Sequence, residues 1–458
     1  MVHNIRNRQL QFHSDLRGIE KFQAFSVTVP EFSDKEFDLR DFGGVGDGHT
    51  SNTAAFKKAM EAAAAEGGRV IVPDGIWVTG PIRLLSNVEL HLQDNAVLSF
   101  DKNPAEYPLI VTDYEGIPRI RARSPIYAED AENIAITGNG VINGNGHLWR
   151  PVKQFKMTGR QWSALLLQSP YVIESKEGGI WFPTQSIFDT AITGEIYPGD
   201  YASPADALAA ASPHYDFYRP VMVSLRRCRN ILIEGVHLQN SAAWNVHPWF
   251  CEHLTVRGVS ILNPSFAQNG DGLDVESCRY VHIHHCSFQT GDDGICLKSG
   301  KDREARKTQG PCEHIYIHDC KVGMSHGGFV IGSEMSRGVR NVLVKDCTFI
   351  DSDVGIRFKS AMGRGGVVED IYMENILMMG IEKECLTMTM NYVLNTVSGD
   401  DPVVQSSDPE DIPVFQNIEC RNCICPDPGA HYVISPMDGF PDTIRDICLI
   451  GCRLGKRK

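Results

Sequence analysis

Cys228-Arg229-Asn230-Ile231-Leu232-Ile233 returns as Cys251-Glu252-His253-Leu254-Thr255-Val256, as Cys278-Arg279-Tyr280-Val281-His282-Ile283 and as Cys312-Glu313-His314-Ile315-Tyr316-Ile317. Later copies open on Val339, Val368, Phe415 and Ile444, and weaker early ones on Leu85 and Ala131. Eight residues beyond the starts stands a second series: Val236, Val259, Cys286, Cys320, Cys347, Ile376, Cys423 and Cys452. Apolar residues two apart mark strands, whereas helical repeats would space them by three and four. Copies in the central run lie 23 to 34 residues apart. The expected fold is therefore all-β, a right-handed parallel β-helix of about ten coils, since short strands and turns at such a period build a solenoid.

The same repeat accounts for most of the 14 cysteines, read as stacked free thiols in the solenoid interior. Cys420, Cys423 and Cys425 resemble a metal cluster, but Cys423 is already a ladder residue. Alternation sends His282 and His284 the same way, and with His285 they read as surface residues ahead of a zinc site.

A chain of 458 residues with 42% apolar and 22% charged residues is expected to fold, and solenoids grow without splitting into domains. The division expected is an N-terminal extension over 1–37 and one catalytic β-helix over 38–458. A formal charge of −13 argues against nucleic-acid or membrane-surface partners. Residues 1–25 lack a signal-peptide core, and no stretch is long and apolar enough for a bilayer. As written the chain reads as cytoplasmic, with a periplasmic or secreted home if a leader was removed. Ser51 or Asn52 can cap a helix running to about Glu66. Phe56, Ala59, Met60 and Ala63 give it one apolar stripe, suited to covering the end of a β array. From about Lys153 to Phe217 the ladder disappears, and a folded excursion is expected, with helical pieces such as 204–211. It is the candidate wall for one end of a cleft.

Chemistry concentrates in Gln268–Ser299. Asp271, Asp292 and Asp293 stand in Gly-flanked breaks between short strands. Adjacent acids repel, which raises the proton affinity of one and suits a general acid beside a base. Ser325-His326-Gly327-Gly328 and Arg357-Phe358-Lys359 follow on the next coils, and alternation puts Arg357 and Lys359 on one face. Singly, each motif reads as a turn, or as a calcium-binding Asp-rich loop. One per coil, they form a row of acids beside a row of cations, suited to hydrolysing a chain of carboxylated sugars.

Asn269-Gly270-Asp271, Gly291-Asp292-Asp293, Ser325-His326-Gly327 and Arg357-Phe358-Lys359, in that order, resemble glycoside hydrolase family 28, the polygalacturonases. Gly270 and Ser325 replace the more common Thr and Gly of its first and third motifs. The resemblance runs from about Phe42 to at least Tyr392. Asn240–Pro248, Lys298–Asp302 and Gly332–Ser336 are similar to bacterial exo-acting members. It implies hydrolysis with inversion and neither metal nor other cofactor. Asp292 would be the acid, and Asp271 and Asp293 would hold and deprotonate the attacking water, with acid and base roughly 6.5–9.5 Å apart. His326 would tune the acid or bind substrate. Arg357 and Lys359 would grip a galacturonate carboxylate, and Tyr392 would line the leaving-group side. Asn269, His247, Trp244, Lys298 and Glu334 are further pocket candidates. The expected partner is a pectic oligo- or polysaccharide, cleaved exo from the non-reducing end. A rhamnogalacturonan or decorated-galacturonan hydrolase, a calcium-dependent pectate lyase and a non-catalytic polysaccharide-binding solenoid stay open as alternatives.

Overall fold

The computed structural model describes residues 6–11, 21–176, 178–308, 310–392, 395–396, 399–400, 404, 406 and 408–458. Of the expected extension over 1–37, residues 1–5 and 12–20 lie outside these. The repeats wind into coils whose strands stack as three parallel sheets of 12, 11 and 10 strands. In one coil, Arg279–His284 joins the 12-stranded sheet, Ser287–Gln289 the 10-stranded and Ile295–Lys298 the 11-stranded. The next coil stacks in register, Val281 on Ile315, Phe288 on Val322 and Ile295 on Phe329. This is the expected parallel β-helix.

One left-handed backbone position recurs at the same place in every copy. The third residue of each copy, from Asn230 through His253, Tyr280, His314, Asn341, Asp370 and Asn417 to Asp446, has φ between 50 and 60°. Asn and Asp tolerate that region best among residues with a side chain, and here their amides also bond along the axis. Asn230 donates to Asn133 at 2.9 Å and Asn133 to Asn87 at 3.0 Å. Where His253, Tyr280 and His314 hold the position, ring contact replaces the amide ladder, with centroids 5.0 and 5.3 Å apart. The ladder residues point inward into one apolar core running from Leu39 to Leu454. All 14 cysteines are free thiols, and all but Cys448 and Cys452 are buried.

The helix Thr53–Glu66 buries Ala55, Phe56, Ala59, Met60 and Ala63 against the first coils, as its stripe dictates. Asn52 stands at its N-cap, where its carbonyl accepts from Phe56 N–H at 2.9 Å but its side chain makes no bond to the helix. Its side chain accepts from the Val45 amide at 2.7 Å and donates to Val78 O at 3.0 Å, pinning the preceding turn to the solenoid. The described part of the N-terminal extension runs along the outer face of the 12-stranded sheet. Phe22 packs with Tyr316, Leu343 and Tyr372, and Val29 with Ala135 and Leu232. No helix among the described residues is long and apolar enough to cross a membrane.

Two of the excursions from the coils lie toward the N-terminal side of the acids. One is the expected insertion, built from the helices Gly159–Leu166, Gln185–Thr193 and Pro204–Ala211 and a small antiparallel sheet. The other is an antiparallel hairpin of Leu109–Tyr114 and Ile117–Ala122. Its tip reaches the loop after Ile295–Lys298, where Lys301 N–H donates to Gly116 O at 3.1 Å. Arg119 and Arg121 in the hairpin both pair with Glu195 of the insertion, at 2.6 and 2.9 Å. The hairpin and the insertion are thus joined by ion pairs.

Candidate active site

Asp271 and Asp293 stand two residues ahead of Leu273–Glu276 and Ile295–Lys298, in the turns entering the 11-stranded sheet. Main-chain bonds stack these turns: Gly272 N–H donates to Asp293 O at 2.9 Å, and His326 N–H to Asp292 O at 3.0 Å. Asp271 therefore lies over Asp293, and Asp292 over His326. The flanking glycines follow from close approach. A β-carbon on Gly291 would collide with the Ala267 carbonyl, and one on Gly294 with Val322.

Carboxylate oxygens of Asp271, Asp292 and Asp293 lie within 4.8 Å of one another. That is closer than the separation of roughly 6.5–9.5 Å expected for an inverting acid and base, because acids stacked on neighbouring coils are held at strand spacing. Asp271 and Asp293 are 3% and 1% exposed, whereas the Asp292 side chain keeps 21% of its surface open.

The protonation pattern also departs from expectation. Burial, then the charges of Asp274 and Asp292, push the Asp271 carboxyl well above the usual range, against the pull of Lys298. Burial works the same way on Asp292, but the His326 ring, Lys156 and Lys359 outweigh it and hold Asp292 below that range. Of these two acids, the proton thus favours Asp271. Adjacency of Asp292 and Asp293 does not decide the matter.

The two cations of the Arg357–Lys359 strand face the same way, as alternation requires, but do different things. Lys359 is buried, and its ammonium donates to Asp293 Oδ2 at 2.8 Å. Arg357 is half-buried and carries no ion pair among the described residues; its guanidinium lies 5.6 Å from the Tyr392 ring centre. Tyr392 also faces Lys359, at 5.2 Å. Asn269, at the mouth of the Asp271 turn, accepts from Arg219 at 2.9 Å.

The remaining candidates form one buried polar layer on the outward face of the same sheet. His247 meets Glu276 at 2.9 Å. Lys298 lies 3.4 Å from Asp274, 3.3 Å from Glu334 and 4.3 Å from the centre of the Trp244 ring. Asp274 is fully buried with no hydrogen-bond partner on either oxygen, and burial lifts its carboxyl to about 7 despite Lys298. Tyr114 from the hairpin packs against Trp244 with ring centres 4.4 Å apart, covering this layer. Asp274 and Glu276 were within reach of sequence reasoning, since alternation from Asp271-Gly272-Leu273 sends both outward beside the acids. Lys156 was not. It comes from the insertion, where its ammonium lies 2.7 Å from Gly291 O and 2.9 Å from His326 Nε2.

Among the described residues three groups of side chains bring metal-ligand atoms together, one of them His285, His318 and Asp319 at the surface. The carboxylate trio suits a hard cation by its oxygen donors, but the Lys359 ammonium already supplies positive charge at Asp293. His282, His284 and His318 also converge. Their rings stack nearly parallel, His284 and His318 at 3°. His282, which is buried, lies at 26 and 29° to these two rings, and its Nε2 meets His318 Nε2 at 2.8 Å, so the arrangement favours a stacked, hydrogen-bonded ladder.

A parallel β-helix with a carboxylate trio flanked by cations defines a class of polysaccharide-acting solenoid. The sequence model of glycosyl hydrolases family 28 matches residues 166–419, and the chain belongs to that family. It is 29% identical over 423 residues to a probable polygalacturonase of Vitis vinifera, covering 90% of this chain and 72% of that one. It is 29% identical over 370 residues to an exo-poly-alpha-D-galacturonosidase of Dickeya chrysanthemi, covering 79% of this chain and 58% of that one. Among solved structures, the hyperthermoactive exopolygalacturonase of Thermotoga maritima superposes with a TM-score of 0.72. That pair is 31% identical over 96% of this chain and 91% of that one.

Proposed function

We propose that residues 38–458 form one catalytic unit, preceded by an extension over 1–37, that hydrolyses α-1,4 bonds between galacturonate residues of pectic chains from one end. The observation that carries this reading is the split among the acids: Asp292 opens to the cleft while Asp271 and Asp293 stay buried behind it, with Arg357 unpaired beside them. A galacturonate carboxylate brought to Arg357 and Lys359 offsets the positive field on Asp292, and the sugar excludes water. Both changes raise the proton affinity of Asp292. The proton that Asp271 holds before substrate binds then resides on Asp292, which gives it to the glycosidic oxygen. Asp271 and Asp293 are left to orient a water and take its proton.

Burial favours inversion despite the short spacing. A nucleophilic carboxylate must bond the anomeric carbon directly, whereas water can reach oxygens that a sugar carbon cannot. The exo reading rests on the hairpin, whose tie from Gly116 to Lys301 closes the cleft on the N-terminal side. The relatives named as exo-acting support it.

The test is Asp292→Asn on polygalacturonate with chelator present, following reducing ends, ultraviolet absorbance and product length. Galacturonate from the first time points, lost in the variant while binding persists, supports the assignment. Unchanged turnover in Asp292→Asn refutes it. An unsaturated product would make the protein a lyase, and early oligomers would remove the exo reading alone.

A further inference from the structure

The Lys156–His326–Asp292 chain has a direction. An ammonium donates three hydrogen bonds and accepts none. With Lys156 Nζ at 2.9 Å from His326 Nε2, that ring nitrogen accepts, so the ring hydrogen is on Nδ1. Nδ1 lies 3.1 Å from Asp292 Oδ1, which also accepts from the Asp293 main-chain N–H at 3.1 Å. Oδ1 is then filled by two donors. A proton on Asp292 can sit only on Oδ2, the oxygen left without a partner among the described residues.

We infer that Lys156, a residue of the insertion, is a positioning residue for the reaction proposed above: it fixes His326 as the neutral Nδ1–H tautomer and so confines the acidic proton of Asp292 to Oδ2. Lys156 is itself held in place. Val152 and Lys153 pair with Trp181 and Ile180 of the insertion's sheet, Gln154 Oε1 accepts from Gly179 N–H at 2.9 Å, and the ammonium's other bond goes to Gly291 O, one residue before Asp292. Besides its role as a brace, the insertion thus reaches into the proton-donating centre. The charged groups facing this chain are Asp292, Asp271 and Asp353 from the coil turns, Lys153 from the insertion and Lys359 from the outward face of the sheet. Without Lys156, Nε2 is free to bind a solvent proton. The imidazole can then take the other tautomer or become doubly protonated, and Asp292 loses a defined donor at Oδ1.

The test has a spectroscopic arm that needs no activity. In protein labelled with 15N-histidine, the ring signals lost in His326→Gln identify His326. In the wild type they are expected to show the neutral Nδ1–H form from about pH 6 to 8, a span over which a free imidazole gains or loses its proton. In Lys156→Met they are expected to titrate or to move to Nε2–H, while Lys156→Arg, another obligate donor, restores the wild-type pattern. In the kinetic arm, Lys156→Met lowers kcat by about tenfold or more with a smaller change in KM, as expected of a misplaced proton donor. It also shifts the pH profile, which Lys156→Arg recovers in part. A wild-type His326 protonated on Nε2, or His326 signals unchanged in Lys156→Met, would overturn the inference. If the wild type showed the Nδ1–H form but no activity on galacturonan, the proposed substrate would fall and the tautomer assignment would stand.

Discussion

Replacing Lys359 with Met removes the one ammonium bonded to Asp293 while keeping most of the side-chain volume. At 2.8 Å the pair attracts by roughly 6 kcal/mol at an effective dielectric of about 20. Removing one partner of such a buried pair costs about 3–5 kcal/mol, because the other charge stays buried and unmatched. With Asp293 1% and Lys359 7% exposed, neither charge can turn to water. At about 2.1 cal/mol/K of unfolding entropy per residue, a chain of 458 residues loses roughly 4 °C of Tm. Thermal scans of Lys359→Met, Asp293→Asn and the double variant measure this as a cycle. The double variant is expected to recover at least half of the loss, since it buries no unmatched charge. Turnover by Lys359→Met should fall by more than tenfold, as the ammonium that holds Asp293 in place is gone. A Tm within 1 °C of wild type, or a double variant no better than the single, would refute the view of Lys359 as the counter-charge of Asp293.

Arg357→Ala should raise KM by about ten- to a hundredfold, the worth of a lost charged hydrogen bond. Its Tm should match wild type, since Arg357 holds no other charge; steady-state kinetics and a thermal scan separate it from Lys359. For Asp274, about 7 when folded against 3.8 ordinarily, stability is greatest below about pH 4 and is lost as pH rises through 7. Asp274→Asn should therefore unfold like wild type at pH 4 and at a higher temperature at pH 8. Titration of the native protein with a thiol reagent should modify Cys448 fast and Cys452 slowly, with the remaining thiols reacting only after denaturation.

The fold was legible because it is periodic. Cys228, Cys251, Cys278 and Cys312 declare the inward positions, and the residues two and seven further on declare the turns. The acids were legible because Asp271, Asp292 and Asp293 lie within two successive coils. What escaped depends on partners far away in the chain. Lys156 is 170 residues from the His326 ring it touches, and nothing local to Gln154-Phe155-Lys156 marks it. The hairpin over 109–122 takes its place from distant contacts, with Lys301, Glu195 and Trp244. The direction of the acidity shifts was hidden for the same reason. Like-charge repulsion between Asp292 and Asp293 is visible in sequence, whereas the pull of His326, Lys156 and Lys359 on Asp292 depends on where the fold brings these side chains.

The N-terminal segment bears on how the array holds together. In a solenoid each coil touches only its neighbours, so stability adds coil by coil and the ends can fray independently. Residues 22–31 run lengthwise across that stack. Phe22 rests on Tyr372 and Leu343, Gln23 exchanges bonds of 2.8 and 2.9 Å with Asn341, Phe25 meets His314 and Tyr280, and Val29 reaches Leu232 and Ala135. Coils that never meet thus share one strap, which turns a nearest-neighbour chain into a body whose distant parts unfold together. Cutting the chain between this segment and the capping helix would leave every coil intact and still broaden the melting transition.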